Sequence, residues 1–398
     1  MSRGVRSGLV GVGSFGREFV RLFRDHPLVE RLALCDVNED RLRSAAAQFL
    51  VRETYHSLDE ICRSDLDAVA LFTQPWLHAP QAIQALEFGK HVYSAVPIIS
   101  LDDGDEMLEW CARLIETCRR TGRHYMMGET SYYRPQALYC RRRAREGAFG
   151  RFVLAEGEYF HDIDDPACSL REVARRRWGD EWEPAKAGGV PLHYPTHSIG
   201  GLLSVMGALD GGGVRLTEVS AVGHAYADDD WFRRDTESGN TFANETALFR
   251  CSNGAAVRIA EYRRIGHGGR EAFNLFGTEA SFREGAGGEC QWITGEGVTA
   301  LATSEMREPL PPEVLEAYRR AAGGQAGSVH GDEGVYGGHG GSHAYLVHEF
   351  VEAVAADRRP AIHAWEAARY FVPGIVAHRS ALRGGELLKI PDFGDPPD

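Results

Sequence analysis

An α/β domain followed by an α+β domain is the architecture that this sequence of 398 residues predicts. Up to about residue 128, short apolar runs alternate with amphipathic stretches, the rhythm of a parallel sheet covered on both faces. Beyond that point come longer alternating runs joined by turn residues, as in a largely antiparallel open sheet. The length also exceeds what one hydrophobic core organises, so domains over 1–128 and 129–398 are expected, with the last helix able to pack back on the first.

The elements follow in order. "SGLVGVG" reads as a strand, and the helix after it carries Phe15, Phe19, Leu22 and Phe23. "RLALCD" is the next strand, followed by a helix from Glu39 to Gln48; "DAVALFT" leads to a helix over "HAPQAIQALEFG", and "HVYSAV" to a long helix across "DEMLEWCARLIETC". After "HYMMGE" a helix over 135–147 closes at Gly147. The alternating runs "RFVLAEGEYFHD", "LTEVSAVGHAYAD", "NETALFRCS", "AAVRIAEYRR" and "EAFNLFGT" then predict strands, with Ser252-Asn253-Gly254 as a turn. Residues 322–342 are glycine-rich and read as a mobile loop or lid, before helices over 343–356 and 364–383.

A net charge of -13 argues against nucleic acid or an anionic membrane as partner, and a small polar substrate fits better. No apolar stretch reaches the roughly 20 residues that span a bilayer, and the amino terminus runs straight into a strand, so a cytoplasmic protein is expected. Lysine occurs only at 90, 186 and 389, which leaves few candidates for a catalytic amine. The eight cysteines include no CxxC pair and read as free, partly buried thiols.

"GVGSFG" places glycines at 11, 13 and 16 between a strand and a helix. Gly11 allows the tight turn, Gly13 lets the backbone approach a pyrophosphate, and Gly16 lets helix and strand pack closely. Asp36 ends the second strand, where its carboxylate can accept both hydroxyls of an adenosine ribose. This is the fingerprint of a Rossmann domain. With no arginine immediately after Asp36, NAD is favoured over NADP.

"GVGSFG", Asp36, "TQPWLHAPQAIQALEFGKHVYSAVP", "GEYFHDIDD" and the closing "SALRGGELLKIPDF" together resemble the Gfo/Idh/MocA oxidoreductase family, over almost the whole chain. The resemblance implies a Rossmann domain, a carboxy-terminal domain that carries the substrate site and often a dimer interface, and hydride transfer on sugars or polyols. A homodimer or homotetramer is the corresponding expectation. The implied cofactor set is Gly11, Gly13, Ser14, Phe15, Gly16, Asp36, Thr73, Gln74, His78 and Pro97. Most dehydrogenases of the family have Glu-Lys-Pro where this chain has Ala95-Val96-Pro97, and Val96 cannot move a hydroxyl proton. That valine, Tyr159-Phe160-His161-Asp162, Tyr194-Pro195-Thr196-His197 and Glu129 are similar to the NAD-dependent glycosidase branch, the α-N-acetylgalactosaminidase-like enzymes, as is "GGHGGSH" at 337–343.

Oxidising a secondary alcohol needs a base for the hydroxyl proton, and histidine titrates in the useful range. His197 is the first candidate. Pro195 suits a first helical turn, so His197 stands at a helix start and His193 just outside it. A helix amino terminus would lower the imidazole pKa and keep it neutral. Three readings stay open for the two histidines: proton transfer, a metal shared with Glu158 or His161, and structural capping; the proline between them argues against a shared ion, and no metal is assigned. Tyr159 and His161 alternate with Phe160 and so share one strand face, where Tyr159 can act as acid or hydroxyl donor. The catalytic candidates are thus His197, Tyr159 and His193, with Glu129, His161, Asp162 and Tyr194 as candidate substrate contacts. Lys186 from a loop, and Asn244-Glu245 at a strand start, are weaker candidates.

The function expected is an NAD-dependent oxidoreductase acting on a sugar, glycoside or cyclitol hydroxyl with His197 as proton acceptor. One alternative is redox-neutral glycoside cleavage through a 3-keto intermediate and β-elimination. The other is a dinucleotide-binding regulator without chemistry, motivated by the missing lysine.

Overall fold

The computed structural model describes residues 4–166, 169–178, 189–210, 212–233, 235, 240–266, 268–321 and 333–397. The expected two-domain α/β plus α+β architecture is present. The first six strands, β1 (Val5–Val10), β2 (Val29–Cys35), β3 (Glu53–Tyr55), β4 (Ala68–Leu71), β5 (His91–Ser94) and β6 (Tyr125–Met127), form a parallel sheet in the order β3-β2-β1-β4-β5-β6. The order reverses between β1 and β4, and the strand ends there open a crevice for a ligand.

Helices α1 (Ser14–Arg24), α2 (Glu39–Phe49), α3 (Leu58–Arg63), α4 (His78–Glu87) and α5 (Gly104–Thr121) connect these strands. In α1, Phe19, Leu22 and Phe23 are buried, at the spacing of one apolar face. Asn38, Ser57 and Asp103 cap α2, α3 and α5 with side-chain oxygens that accept backbone amides of the first turn. The short strand β3 and helix α3 were not marked by an apolar period.

Helix α6 (Pro135–Arg145) leads into the second domain. Its sheet contains β7 (Phe152–Phe160), β8 (Leu216–His224), β9 (Asn244–Cys251), β10 (Ala256–Tyr262), β11 (Arg270–Gly277), β12 (Ala280–Glu284), β13 (Cys290–Thr294), β14 (Gly297–Leu301) and β15 (Leu388–Lys389). The order is β14-β13-β12-β11-β7-β10-β9-β8-β15. Among the described residues, the strands of this sheet pair antiparallel except β7 with β10, which sets Glu158 beside Ala260 and Tyr159 beside Glu261. The predicted turn at Ser252-Asn253-Gly254 joins β9 and β10, with Gly254 at φ 90°. Helix α7 (Leu170–Trp178) follows β7, and α8 (Thr196–Asp210) buries Ile199, Leu202, Leu203, Val205 and Met206 between the sheet and α6.

The glycine-rich stretch is folded where it is described. Residues 322–332 lie outside the described set; after them Glu333–Tyr336 makes a helical turn, following α9 (Pro312–Ala321). Helix α10 (Gly338–Ala355) then begins with His339, Gly340 and Gly341 in left-handed conformation. Both closing helices return to the first domain. His343 and Phe350 of α10 pack on Phe19 and Phe23, and Met127 donates its N–H to Ile362 just before α11 (Ala364–Leu382). Among the described residues, no helix is long and apolar enough to cross a membrane, the cysteines at 35, 62, 111, 118, 140 and 290 are free and buried, and Cys251 is buried.

Candidate active site

One cavity of about 710 Å³ runs from the glycine turn, past the loops after β4 and β5, to the imidazoles and phenols of the second domain. Its wall includes all ten residues of the expected cofactor set: Gly11, Gly13, Ser14, Phe15, Gly16, Asp36, Thr73, Gln74, His78 and Pro97. The donor set and shape fit a dinucleotide. A Cβ on Gly16 would lie 2.0 Å from the Gly11 carbonyl oxygen, and one on Gly11, at φ 88°, would lie 2.7 Å from the Phe72 oxygen. A Cβ on Gly13 would meet only Arg41 Nη1, at 3.8 Å, so backbone stays open to a phosphate.

Asp36 is buried, and its carboxylate accepts the N–H of Val12 at 3.0 Å and of Asn38 at 2.9 Å. Arg41, five residues on, reaches back to within 3.5 Å of it, a neighbour that the sequence reading did not place there. His78 acts as a staple: Nδ1 lies 2.8 Å from the Pro97 carbonyl and Nε2 3.0 Å from that of Thr73, tying together the two loops that flank the crevice.

The catalytic candidates His197, Tyr159 and His193 all line the same cavity, together with His161 and Tyr194. Pro195 precedes α8, whose first turn carries His197 as expected. Tyr159 is the penultimate residue of β7, its hydroxyl is 3.0 Å from His161 Nδ1, and its ring lies 4.9 Å from that of His197. His197 Nε2 is 3.2 Å from the Tyr194 hydroxyl.

Glu129 is not on the cavity wall. It is fully buried behind His197, with Oε1 accepting from Ser131 N at 2.8 Å and from His197 Nδ1 at 3.0 Å. Glu129 is therefore joined to the cavity wall through His197 and does not itself reach it. Asp162 is absent from the wall as well: its oxygens accept the N–H groups of Asp164 at 2.8 Å and Ile265 at 2.7 Å, which shapes the turn after β7. Lys186 lies outside the described residues. Asn244 shapes a turn, accepting from Arg263 N and Arg264 N, each at 3.0 Å.

Electrostatics reverse one expectation. Burial alone would lower the His197 pKa, as the helix start was expected to do, but the charge of Glu129 and its hydrogen bond outweigh burial and hold it up at about 9. Burial raises the Glu129 carboxyl, and His197, Thr196 and the Ser131 amide outweigh that and hold it below the usual carboxylate range. At neutral pH the pair is an imidazolium and a carboxylate. His193 goes the other way: burial, with His378 beside it, pushes it down to about 3.

The sign of the stability effect follows. His197 has its ordinary value of 6.5 when unfolded and about 9 when folded. Its stabilisation is whole below the unfolded value and is lost as pH rises through the folded one. Thermal unfolding of the protein is expected to weaken by on the order of 3 kcal/mol between those limits, counting the pair once. His197→Gln should flatten that window; an unchanged pH slope would refute the pairing.

Among the described residues, one group of three has metal-ligand character: Glu129, His197 and Glu271, whose ligand atoms lie within 4.8 Å of one another. Each carboxylate has a protein cation beside it, His197 at 3.0 Å from Glu129 and Arg134 at 3.7 Å from Glu271. The earlier alternative with Glu158 fails on strand geometry. Glu158 pairs with Arg258 at 3.3 Å and Arg270 at 2.8 Å on the opposite sheet face from Tyr159.

Sequence reasoning missed a second buried network. Arg263 lines the cavity and donates to Glu261 at 2.9 Å, and Ser198, next to His197, donates to the same carboxyl group. Glu261 and Arg263, opposite charges two residues apart at the end of the strand "AVRIAEYRR", were the available signal. Burial first, against Arg263 and Ser198, raises Glu261 to about 7.

The crevice at the strand-order reversal, the glycine turn and Asp36 define a dinucleotide-binding domain of the Rossmann class. Residues 5–129 match the family described as the oxidoreductase family with an NAD-binding Rossmann fold. The match covers the first domain, which is thus similar to the NAD-binding domain of that family, and NAD is the cofactor that the domain fits. It is 30% identical over 209 residues to a glycosyl hydrolase family 109 protein of Shewanella putrefaciens, covering 49% of this chain and 43% of the relative. It is 29% identical over 215 residues to an alpha-N-acetylgalactosaminidase of Bacteroides fragilis, covering 51% and 48%. The chain thus spans about half the length of the curated relatives it matches. Its fold is similar to that of levoglucosan dehydrogenase in complex with NADH and levoglucosan, with TM-score 0.75, 18% identity and 98% and 100% coverage. The myo-inositol 2-dehydrogenase of Lactobacillus plantarum gives TM-score 0.67, 16% identity and 98% and 100% coverage.

Proposed function

We propose that this protein is an NAD-linked oxidoreductase acting on a secondary hydroxyl of a sugar, glycoside or cyclitol. The observation that carries this reading is the continuous cavity, in which the cofactor turn and a cluster of imidazoles and phenols share one wall. The names of the similar glycoside hydrolases and of the structurally similar dehydrogenases support a carbohydrate. Bound NAD supplies the acceptor and donor of hydride.

The remaining tasks fall to side chains. Tyr194 meets the substrate oxygen and passes a proton to or from His197 Nε2, 3.2 Å away. Glu129 fixes the ring through Nδ1 and keeps it charged at neutral pH. His197 thus accepts a proton readily only near and above pH 9, so oxidation should speed up toward that pH and ketone reduction should be favoured below it. The test is a panel of sugars, glycosides and cyclitols with NAD, followed by NADH absorbance and by product analysis. Accumulation of NADH with one of them is the expected result; NAD binding without turnover of any compound would favour the regulator instead.

A second reading, redox-neutral glycoside cleavage, is favoured by Val96 on the cavity wall where related dehydrogenases carry lysine. Lys90 cannot substitute, because its Nζ donates to the Ser64 and Leu66 carbonyls at 2.5 and 2.8 Å, before the amino ends of β4 and β5 and so at the opposite end of these strands from the cavity. Cleavage predicts release of the leaving group without net NADH and deuterium uptake from heavy water at sugar C2. Cleavage without that uptake would exclude the elimination route.

The same reading includes a cytoplasmic homodimer or homotetramer built on the open face of the nine-stranded sheet, where Val222 and Leu248 are 69% and 56% exposed. Light scattering should give a multiple of the chain mass, and Leu248→Glu should reduce it. A single-chain mass for the native protein would overturn the assembly.

A further inference from the structure

Arg41 stands on the cavity wall where Asp36 and the glycine turn meet, and the cofactor set read from the sequence does not include it. Its backbone is fixed. As the third residue of α2 it gives its N–H to the capping Asn38 side chain at 2.9 Å, and its carbonyl accepts Arg17 Nη2 at 3.2 Å. Its side chain, 43% exposed, brings Nη1 to 3.5 Å from Asp36 Oδ2 and 3.8 Å from where a Cβ on Gly13 would sit. Gly13 and Asp36 both line the cavity, so this nitrogen lies among the groups that frame the nucleotide space.

The guanidinium makes no hydrogen bond with any described residue; its ion pair with Asp36 is its one charged contact among them. Arg17, on the facing helix, is the contrast. Its Nε, Nη1 and Nη2 donate to the Val12 carbonyl at 3.2 Å, Gln48 Oε1 at 3.1 Å and the Arg41 carbonyl at 3.2 Å. One arginine here is committed to the fold, and the other keeps its donors. Planar donors of that kind match a phosphate, which they hold through paired, charge-assisted bonds.

An aspartate after the second strand ordinarily repels a 2'-phosphate, but this one is compensated. Oδ2 accepts the Val12 N–H and Oδ1 the Asn38 N–H, and Arg41 adds a full positive charge. Val37, the next residue, lines the cavity and is 80% exposed, so the space beside Asp36 opens to solvent and a phosphate there stays hydrated. The acids of the first turn of α2, Glu39 and Asp40, are off the wall, and Asp40 pairs with Arg43 at 3.2 Å.

We infer that Arg41 is a 2'-phosphate-binding residue and that the site takes NADP as well as NAD. The inference goes beyond the NAD assignment and is independent of the sugar reading. Specificity becomes a choice of partner for one guanidinium: with a free ribose hydroxyl it stays beside Asp36, which accepts that hydroxyl, and with a 2'-phosphate it turns to the added charge.

Titration of the full chain with NADH and with NADPH, followed by protein fluorescence, tests this without a substrate. The native protein should bind NADPH within about tenfold of NADH. Arg41→Ala should weaken NADPH by about tenfold or more and NADH by less than about threefold, because a charge-assisted contact is lost from one ligand only. Arg41→Lys keeps the charge without the fork and should fall between. The side chain is half exposed and holds no described hydrogen bond, so both variants should melt with the native protein. Equal losses for the two nucleotides in Arg41→Ala would place the guanidinium on the pyrophosphate they share and overturn the inference. So would NADH binding without detectable NADPH binding, or no change in Arg41→Ala. Binding of neither nucleotide would sink the dinucleotide assignment itself, whereas an empty sugar screen would leave the titration decisive.

Discussion

Replacing Glu129 by Gln is expected to carry the alkaline rise of alcohol oxidation from about pH 9 to below the ordinary imidazole value of 6.5. It should also cut ketone reduction at neutral pH by about 10² or more. The cause is geometric. In the native site His197 donates from Nδ1 to Glu129 at 3.0 Å and, while charged, from Nε2 to the Tyr194 oxygen at 3.2 Å. Tyr194 then keeps its own proton for the ligand. A glutamine still accepts from Nδ1 but brings no charge, and burial then leaves the ring neutral. Its Nε2 becomes an acceptor, so Tyr194 turns its proton back toward His197, and the donor to the ligand is lost. Removing one member of a buried ion pair should also lower stability by about 3 kcal/mol. Paired pH-rate profiles for oxidation and reduction check this, with NAD affinity as the control. A shoulder that stays near pH 9 in the variant would show that Glu129 does not set the protonation of His197.

Gly16→Ala is expected to abolish tight NAD binding and to destabilise the fold by about 3 kcal/mol. The added methyl would lie 2.0 Å from the Gly11 carbonyl oxygen and 3.1 Å from Phe72 Cβ. The first of these is backbone, so α1 must move off the strand, and the amides that face the pyrophosphate move with it. Gly13→Ala separates the two effects. Its Cβ meets only the end of the Arg41 side chain, at 3.8 Å, so stability should hold while the close approach of a phosphate is lost. Thermal melts and fluorescence titration with NAD distinguish them. Equal melting points for Gly16→Ala and the native protein would refute the packing argument.

The legible parts of this molecule are those whose physics is local. The glycine turn, Asp36 at a strand end, the apolar face of α1 and the helix start after Pro195 each occupy one short window, and each is present. The Glu129–His197 pair joins residues 68 apart, and no window contains both. The expected fall in the His197 pKa failed for that reason: a helix terminus was visible and its stronger electrostatic partner was not. Asp162 and Glu129 were placed with the substrate because motif proximity does not say which way a side chain turns. The parallel pairing of β7 with β10 was hidden by the long connection between them. Strands β12 to β14 are only five residues each and are separated by glycine-rich turns, too short for a period to emerge. The glycine-rich start of α10 read as a loop because glycine signals backbone freedom, whereas here the left-handed residues deliver His343 into the aromatic face of α1.

The return of α10 and α11 to the first domain bears on how the chain comes into being. A ribosome that has released residues 1–129 has made every strand of the first sheet. It has made neither the rings that cover Phe19 and Phe23 nor the carbonyl that pairs with Met127. Those arrive near the end of synthesis, so the nascent amino-terminal half carries a bare aromatic seam through most of translation. Carboxy-terminal truncation or early release should therefore lead to aggregation of the nucleotide-binding half, and a fused partner is better joined at the front of the chain than at its end.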